Sequence, residues 1–148
     1  MAISSVSGSS ASATDEADGS VSFNTEFSAV AVDSDGKVLA GIIDAIQPKI
    51  TFNTAGEITL DENYTVISKR ELGKNYGMSS VSPIGKDWHE QVDAFADYCV
   101  GKTSAEISAI ELTENSEGNM VVADLSASCT IGSSDLVKVV AAAAANAD

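Results

Sequence analysis

The chain is short of positive charge. Eight Lys and Arg stand against 22 Asp and Glu over 148 residues, a formal net charge of −14. Such a balance repels phosphate backbones and anionic headgroups, so nucleic acid is not an expected partner. Histidine is almost absent: His89 is the only one, and any Ser-His-Asp or Cys-His device would have to use it. Its setting argues against that role. Asp93 and Asp97 follow at i+4 and i+8 on a solvated, charged helix face, where a His is expected to do no more than pair with its neighbour. Cysteine is equally scarce. Cys99 and Cys129 form no C-x-x-C pair, which excludes a zinc knuckle or a thioredoxin-type dithiol. The two either bridge across the core of an extracytoplasmic protein or are small buried residues that never meet. No apolar run approaches the roughly 18 residues of a membrane span, so direct membrane insertion is not expected.

What is present suffices for one ordinary domain, since a chain of this length buries about 68–70% of its unfolded surface. The opening "MAISSVSGSSASATDEADGS" has no signal-peptide pattern and reads as a polar Ser/Ala linker. Residues 1–19 are therefore expected to be linker or disordered, with a single domain over 20–148. Any exporting or tethering segment of the natural chain is expected to lie outside this sequence.

From Ser20 to Val32 the residues alternate. Val21, Phe23, Thr25, Phe27, Ala29 and Ala31 fall on one side, and Ser22, Asn24, Glu26 and Ser28 on the other. This is the pattern of a half-buried strand with its apolar side covered. "DSDG" (Asp33 to Gly36) is turn chemistry, and "KVLAGIIDAI" returns along the first strand as a hairpin. A second hairpin is expected from "KITF" and "EITL" joined by "NTAG". The period then changes. Trp88, Val92, Phe95, Ala96 and Cys99 share a helical stripe, with Asp87 and Glu90 as its N-terminal cap and Gly101 as its stop. Thr103 and Glu106 make a capping box for a short helix ending near Ile110, "NMVVADL" reads as a strand, and a last helix begins near Ser133 or Ser134 with Leu136, Val139, Val140 and Ala143 inward. Together these elements make an α+β fold: a mostly antiparallel sheet built from hairpins and packed against a central helix and a C-terminal helix.

Few residues carry candidate chemistry. Placing Gly36 at the sixth position of an EF-hand loop puts Ala31 first and Ile42 twelfth, where ligands are required. "DEADG" fails likewise at Thr25, so both stretches read as turns. The loop Leu72 to Trp88 offers Tyr76, Met78 and Trp88 as walls for a flat ring, or as aromatics buried against the core. The loop between the last strand and the last helix consists of small residues at a helix N-terminus. It could seat an anion with hydroxyls from Ser128, Thr130, Ser133 and Ser134, or it could be a plain N-cap above a packed joint.

The order "ADG", strand, "DSDGKV", strand, "ELGKNYGM", Trp-bearing helix, "GKT", then strand, small loop and helix resembles the extracytoplasmic FMN-binding domain family. It is most similar to repeat modules of Firmicutes surface lipoproteins related to that family. In flavinylated members the motif D-x-x-S-G-A-T carries FMN esterified to its final Thr. The matching heptad here is "DLSASCT", in which Asp124 and Thr130 coincide with the ends. Ala127 stands for Ser, Ser128 for Gly and Cys129 for Ala, and a Cβ at the Gly position crowds the phosphate. A second family segment is matched at Glu71, Gly73 and Gly77, with Leu72 in place of Thr. The resemblance implies a non-enzymatic, extracytoplasmic ligand-binding or spacer module at the cell surface, with neighbouring modules of a longer chain and a flavin or other small molecule as partners. The cofactor is then none or FMN, with covalent attachment at Thr130 disfavoured by the altered heptad. The alternative it implies is a flavin-carrying redox module relaying electrons outside the membrane. The residues expected around the ligand are Glu71, Tyr76, Gly77, Met78, Trp88, Asp124, Ser128, Thr130, Ser133 and Ser134.

Overall fold

The alternating stretch forms the long strand β2 (Gly19–Val32), the axis of the sheet in a computed structural model that describes residues 1–147. Asp33 closes the turn after it by accepting from the backbone N–H groups of Asp35 and Lys37 through Oδ1, both at 2.9 Å, while Gly36 takes φ +74°. β3 (Val38–Ile46) returns antiparallel to β2, pairing Ser28 with Ile43 and Glu26 with Ala45. β4 (Lys49–Phe52) continues on the same side of β2, pairing Val21 with Ile50. The second expected hairpin closes only in part. Asn53 Oδ1 accepts from Ala55 and Glu57 N–H, but beyond the turn the arms are joined only by the Phe52–Ile58 bridge and the Thr59–Thr51 contact. Ile58 is exposed, so this arm has no face to bury that would extend it.

The N-terminal segment departs from expectation. Ala2–Ala11, read above as linker, is strand β1, antiparallel to β2 with Ile3 opposite Phe27 and a register shift between Ser7 and Ser10. A Cβ on Gly8 would lie 2.3 Å from Ser22 Oγ, so glycine is what lets the two strands approach there. Ser, Gly and Ala carry little strand propensity of their own, and pairing with an existing long strand supplies what local sequence does not.

Helices cover one face of the sheet. α1 (Lys69–Leu72) is a single turn against β3. α2 (Trp88–Cys99) starts at the expected capping box, in which Glu90 accepts from Asp87 N–H at 2.8 Å, and buries the expected stripe together with Gln91. α3 (Ser104–Ser108) has the capping box of Thr103 and Glu106. It is joined to α4 (Ser134–Ala145) by a bond from Ser104 Oγ to Ala141 O of 2.8 Å. The expected "NMVVADL" strand shrinks to β6 (Met120–Val121), paired with β5 (Thr113–Glu114), before a 3-10 turn at Ala123–Leu125. The architecture is α+β, an antiparallel sheet with helices packed against it.

The covered face of β2 is the polar one. Ser22, Glu26 and Ser28 are buried beneath α4, Glu26 at 9% exposure and Ser28 at 1%, whereas Phe23 lies exposed with Ile3 of β1 (72%) and Ile42 of β3 (50%) on the outer face. The expectation that Val21, Phe23, Phe27 and Ala29 face the core is corrected by pairing. Ile43 and Ala45 of β3, both fully buried, lie opposite Ser28 and Glu26, and residues opposite each other share a face. The apolar content of β3, α2 and α4 decides the sheet's inner side, and β2 follows.

Candidate functional site

A cleft of about 470 Å³ opens between the loop before α2 and the loop before α4. Met78, Val81, Ser82 and Pro83 form one wall, Thr130, Ile131 and Gly132 the other, and Glu117 and Asn119 complete it. A larger groove of about 510 Å³ lies along Ser10–Ala13, Ser20, Val21 and Phe52–Thr54. It contains no titratable side chain and none of the ten residues expected around a ligand.

One buried side chain holds the two walls of the cleft together. Gln91, fully buried in α2, donates through Nε2 to Ser82 Oγ (3.2 Å) and to Lys86 O (3.1 Å) on one wall. On the other, its Oε1 accepts from Thr130 N–H (2.9 Å) and from Thr130 Oγ1 (3.3 Å). Both amide hydrogens and both lone pairs of the carbonyl are thereby used. Asp87, the N-cap of α2, adds a bond from Ser79 N–H to its Oδ1 at 3.3 Å. Thr130 O in turn accepts from Asn115 Nδ2 (3.1 Å) and Asn119 Nδ2 (3.5 Å), and Asn115 Oδ1 organises its own turn by accepting from Glu117 and Asn119 N–H. Thr130 is thus held at its N–H, its hydroxyl and its carbonyl.

The rest of the heptad folds onto itself. Ser128 N–H and Cys129 N–H both donate to Leu125 O, at 2.8 and 2.7 Å, and Ser128 Oγ donates to the same carbonyl. Asp124 is exposed on the 3-10 turn. Cys129 and Cys99 are free and buried, and desolvation pushes each thiol up to about 11. Ser133 occupies the N-cap position of α4, but its hydroxyl turns back to Ile131 O (3.3 Å) and no side chain caps the helix. The expected crown of hydroxyls is therefore dispersed. Those of Ser128 and Ser133 are spent on local carbonyls, and of the four only Thr130 lines the cleft.

The candidates of the preceding loop separate in the same way. Met78 lines the cleft. Trp88 is buried in the core, and with Tyr76 it brackets the buried Lys69, whose Nζ lies 5.4 and 5.1 Å from the two ring centres. Glu71 is exposed, its N–H capped by Ser68 Oγ, and Gly77 ends a 3-10 turn at φ +81°. His89 does not pair with Asp93. That carboxylate is held by Arg70 at 2.7 and 3.3 Å, and Arg70 also donates to Ile43 O. Of the ten residues expected around a ligand, the fold brings Met78 and Thr130 to one cleft. Gln91, Asn115 and Asn119 were not singled out. The available signal for Gln91 was a polar residue at i+3 from Trp88 on an otherwise apolar stripe.

The cleft does not suit a phosphate ester. Glu117 is its one charged lining residue and has the wrong sign, no Lys or Arg lines it, and the donors of Thr130 are engaged by Gln91. Among the described residues no group of three His, Cys, Asp or Glu side chains could hold a metal ion, and no helix is long and apolar enough to cross a membrane. No family model matches the chain, and neither a curated protein nor a solved structure matches it.

Proposed function

We propose that this chain is a non-catalytic, extracytoplasmic binding or spacer module of a surface lipoprotein, built on an FMN-binding-type fold that no longer carries an esterified flavin. Its ligand seat is the cleft between Met78–Pro83 and Thr130–Gly132. The observation that carries the reading is the hydrogen bonding of Thr130. In the family the chain resembles, the equivalent Thr is the attachment point, and here its hydroxyl and N–H both end on the buried Gln91 carbonyl. Attaching a phosphate would break that joint beside an anionic rim, with Ser128 and Cys129 in place of the small Gly and Ala of the flavinylated motif. The cleft's volume lies within the range of small-molecule sites, and its apolar Met78, Val81, Pro83 and Ile131 suit a ligand of uncharged, partly apolar body.

The test is intact mass with a visible absorption spectrum, on protein co-expressed with a flavin transferase and then exposed to free FMN. The expected outcome is unchanged mass and no visible absorbance. A mass gain of one FMN, lost in Thr130→Ala, would replace this reading with the electron-relaying redox module.

A further inference from the structure

The edges of the sheet are treated unequally. The outer edge of β3 is engaged at two points, Val38 and Ile43. Val38 N–H donates to Lys102 O (2.9 Å), Gly101 N–H donates to Val38 O (2.8 Å), and the Arg70 guanidinium donates twice to Ile43 O. The outer edge of β4 is closed by the bridge of Phe52 with Ile58, by Thr59 N–H on Thr51 O (3.0 Å), and by the Tyr64 hydroxyl, which accepts from Lys49 N–H (3.1 Å). Among the described residues, no backbone group of β1 has a partner on the side away from β2.

Devices that usually guard an open edge are scarce on β1. Its ten residues, "AISSVSGSSA", include neither a charge nor a proline, and they lie in Met1–Thr14, the longest charge-free run of a chain with 30 charged residues. The register shift between Ser7 and Ser10 interrupts the far end, which leaves Ala2–Ser7 as a regular edge about 20 Å long. We infer that this edge pairs antiparallel with the same edge of a second copy of the chain, joining two sheets into one. A charge-free strand meeting itself is the approach that brings two molecules of net charge −14 together with least repulsion, and a two-fold axis makes one edge its own complement. With the axis near Ser4, Ala2 faces Val6 across the junction and Ile3 faces Ser5, so the exposed Ile3 and the half-buried Phe27 on the outer face of both copies form one continuous surface. Edge pairing over six residues buries less than the about 800 Å² per partner of a standard interface. The dimer is therefore weak and its population concentration-dependent.

Sedimentation equilibrium over rising concentration tests this. The dimer fraction is expected to rise with concentration and also with salt, because added salt shortens the screening length from about 10 Å at 0.1 M to about 3 Å at 1 M and weakens the repulsion between copies. Ser5→Lys places a charge at the junction and is expected to leave a monomer with unchanged circular dichroism and Trp88 emission. A second variant needs no disruption of the strand. In Ser4→Cys, two thiols facing each other across the axis are expected to form a disulfide-linked dimer under mild oxidation, while Cys99 and Cys129 stay buried. A monomer at every concentration and salt, or a dimer that Ser5→Lys leaves intact, overturns the inference. A dimer that persists while Ser4→Cys fails to cross-link overturns the axis near Ser4.

Discussion

Gln91 and Glu26 are both polar side chains at positions where the fold wants apolar ones, and the structure treats them in opposite ways. Gln91, in the first turn of α2, makes four hydrogen bonds that join two loops. Glu26, on the inner face of β2, accepts one bond from Asn24 Nδ2 (3.3 Å) and leaves Oε2 buried without a partner. Its neighbours on the same row, Asn24 Oδ1 and Ser28 Oγ, are also unpartnered. Burial alone does not make a polar residue a structural asset. The satisfied amide is a joint, whereas the row beneath α4 is a cost that the rest of the core offsets.

The largest break in this comparison should come from Gln91→Leu. The apolar side chain fits the helix stripe but leaves Thr130 N–H and the Lys86 carbonyl unpaired, so a loss of about 3 kcal/mol is expected in urea unfolding. Thr130 amide exchange should speed up with it as the two walls of the cleft separate. If stability falls by less than about 1 kcal/mol, the joint is not what holds the cleft.

Glu26 should respond with the opposite sign. Glu26→Gln removes a buried ionisable group while keeping its shape, and at neutral pH it is expected to stabilise the fold by about 1 kcal/mol. Burial is the main reason that the Glu26 carboxyl sits above its ordinary value of 4.5. Asp135 of α4 adds to the shift, while Asn24, Lys69 and Lys138 oppose it. The folded state therefore holds a proton that the unfolded chain releases. Glu26 favours folding most at low pH, and that contribution falls as pH rises through the interval between 4.5 and the raised value, then stays flat. The wild-type minus Glu26→Gln stability difference, followed by denaturation from pH 4 upward, should grow more negative over that interval. A difference that does not change with pH would mean that Glu26 is solvated and not buried. Glu106 should behave in reverse. Its bonds with Thr103 N–H and hydroxyl hold its carboxyl below the ordinary range, so the stability it adds is present above that range and is lost as pH falls. Glu106→Gln should flatten the acid limb of the stability curve.

The smallest expected effect sharpens the comparison. Thr130→Val removes one 3.3 Å hydroxyl bond but keeps the N–H bond to Gln91 Oε1, so a loss of about 0.5–1 kcal/mol is expected in the same urea titration. A loss as large as that of Gln91→Leu would show that the hydroxyl, and not the amide network, holds the joint.

How much of this was legible in the sequence follows the range of the interactions. The Asp33 turn, the Asp87–Glu90 cap and the Thr103–Glu106 cap all join residues at most four positions apart, and each forms as expected. The inward residues of α4 and the stripe of α2 were equally visible, because a helix with one apolar side has a single way to bury it. The cleft was legible only in outline. Its two loops were both singled out, but eight of the ten expected residues line something else, since loop hydroxyls are satisfied by whichever carbonyl is nearest after folding.

By itself, then, the sequence determined the local elements of this protein: its turns, its helix caps, its helix faces and the α+β class that they compose. Tertiary structure alone decided that Ala2–Ala11 becomes a strand, that β2 turns its polar row inward, and that Gln91 takes hold of Thr130. The physical reason is shared by all three. A strand offers two faces and two edges that local propensity cannot rank, and a hydrogen bond between residues 39 positions apart exists only once the sheet and helices have set the distance.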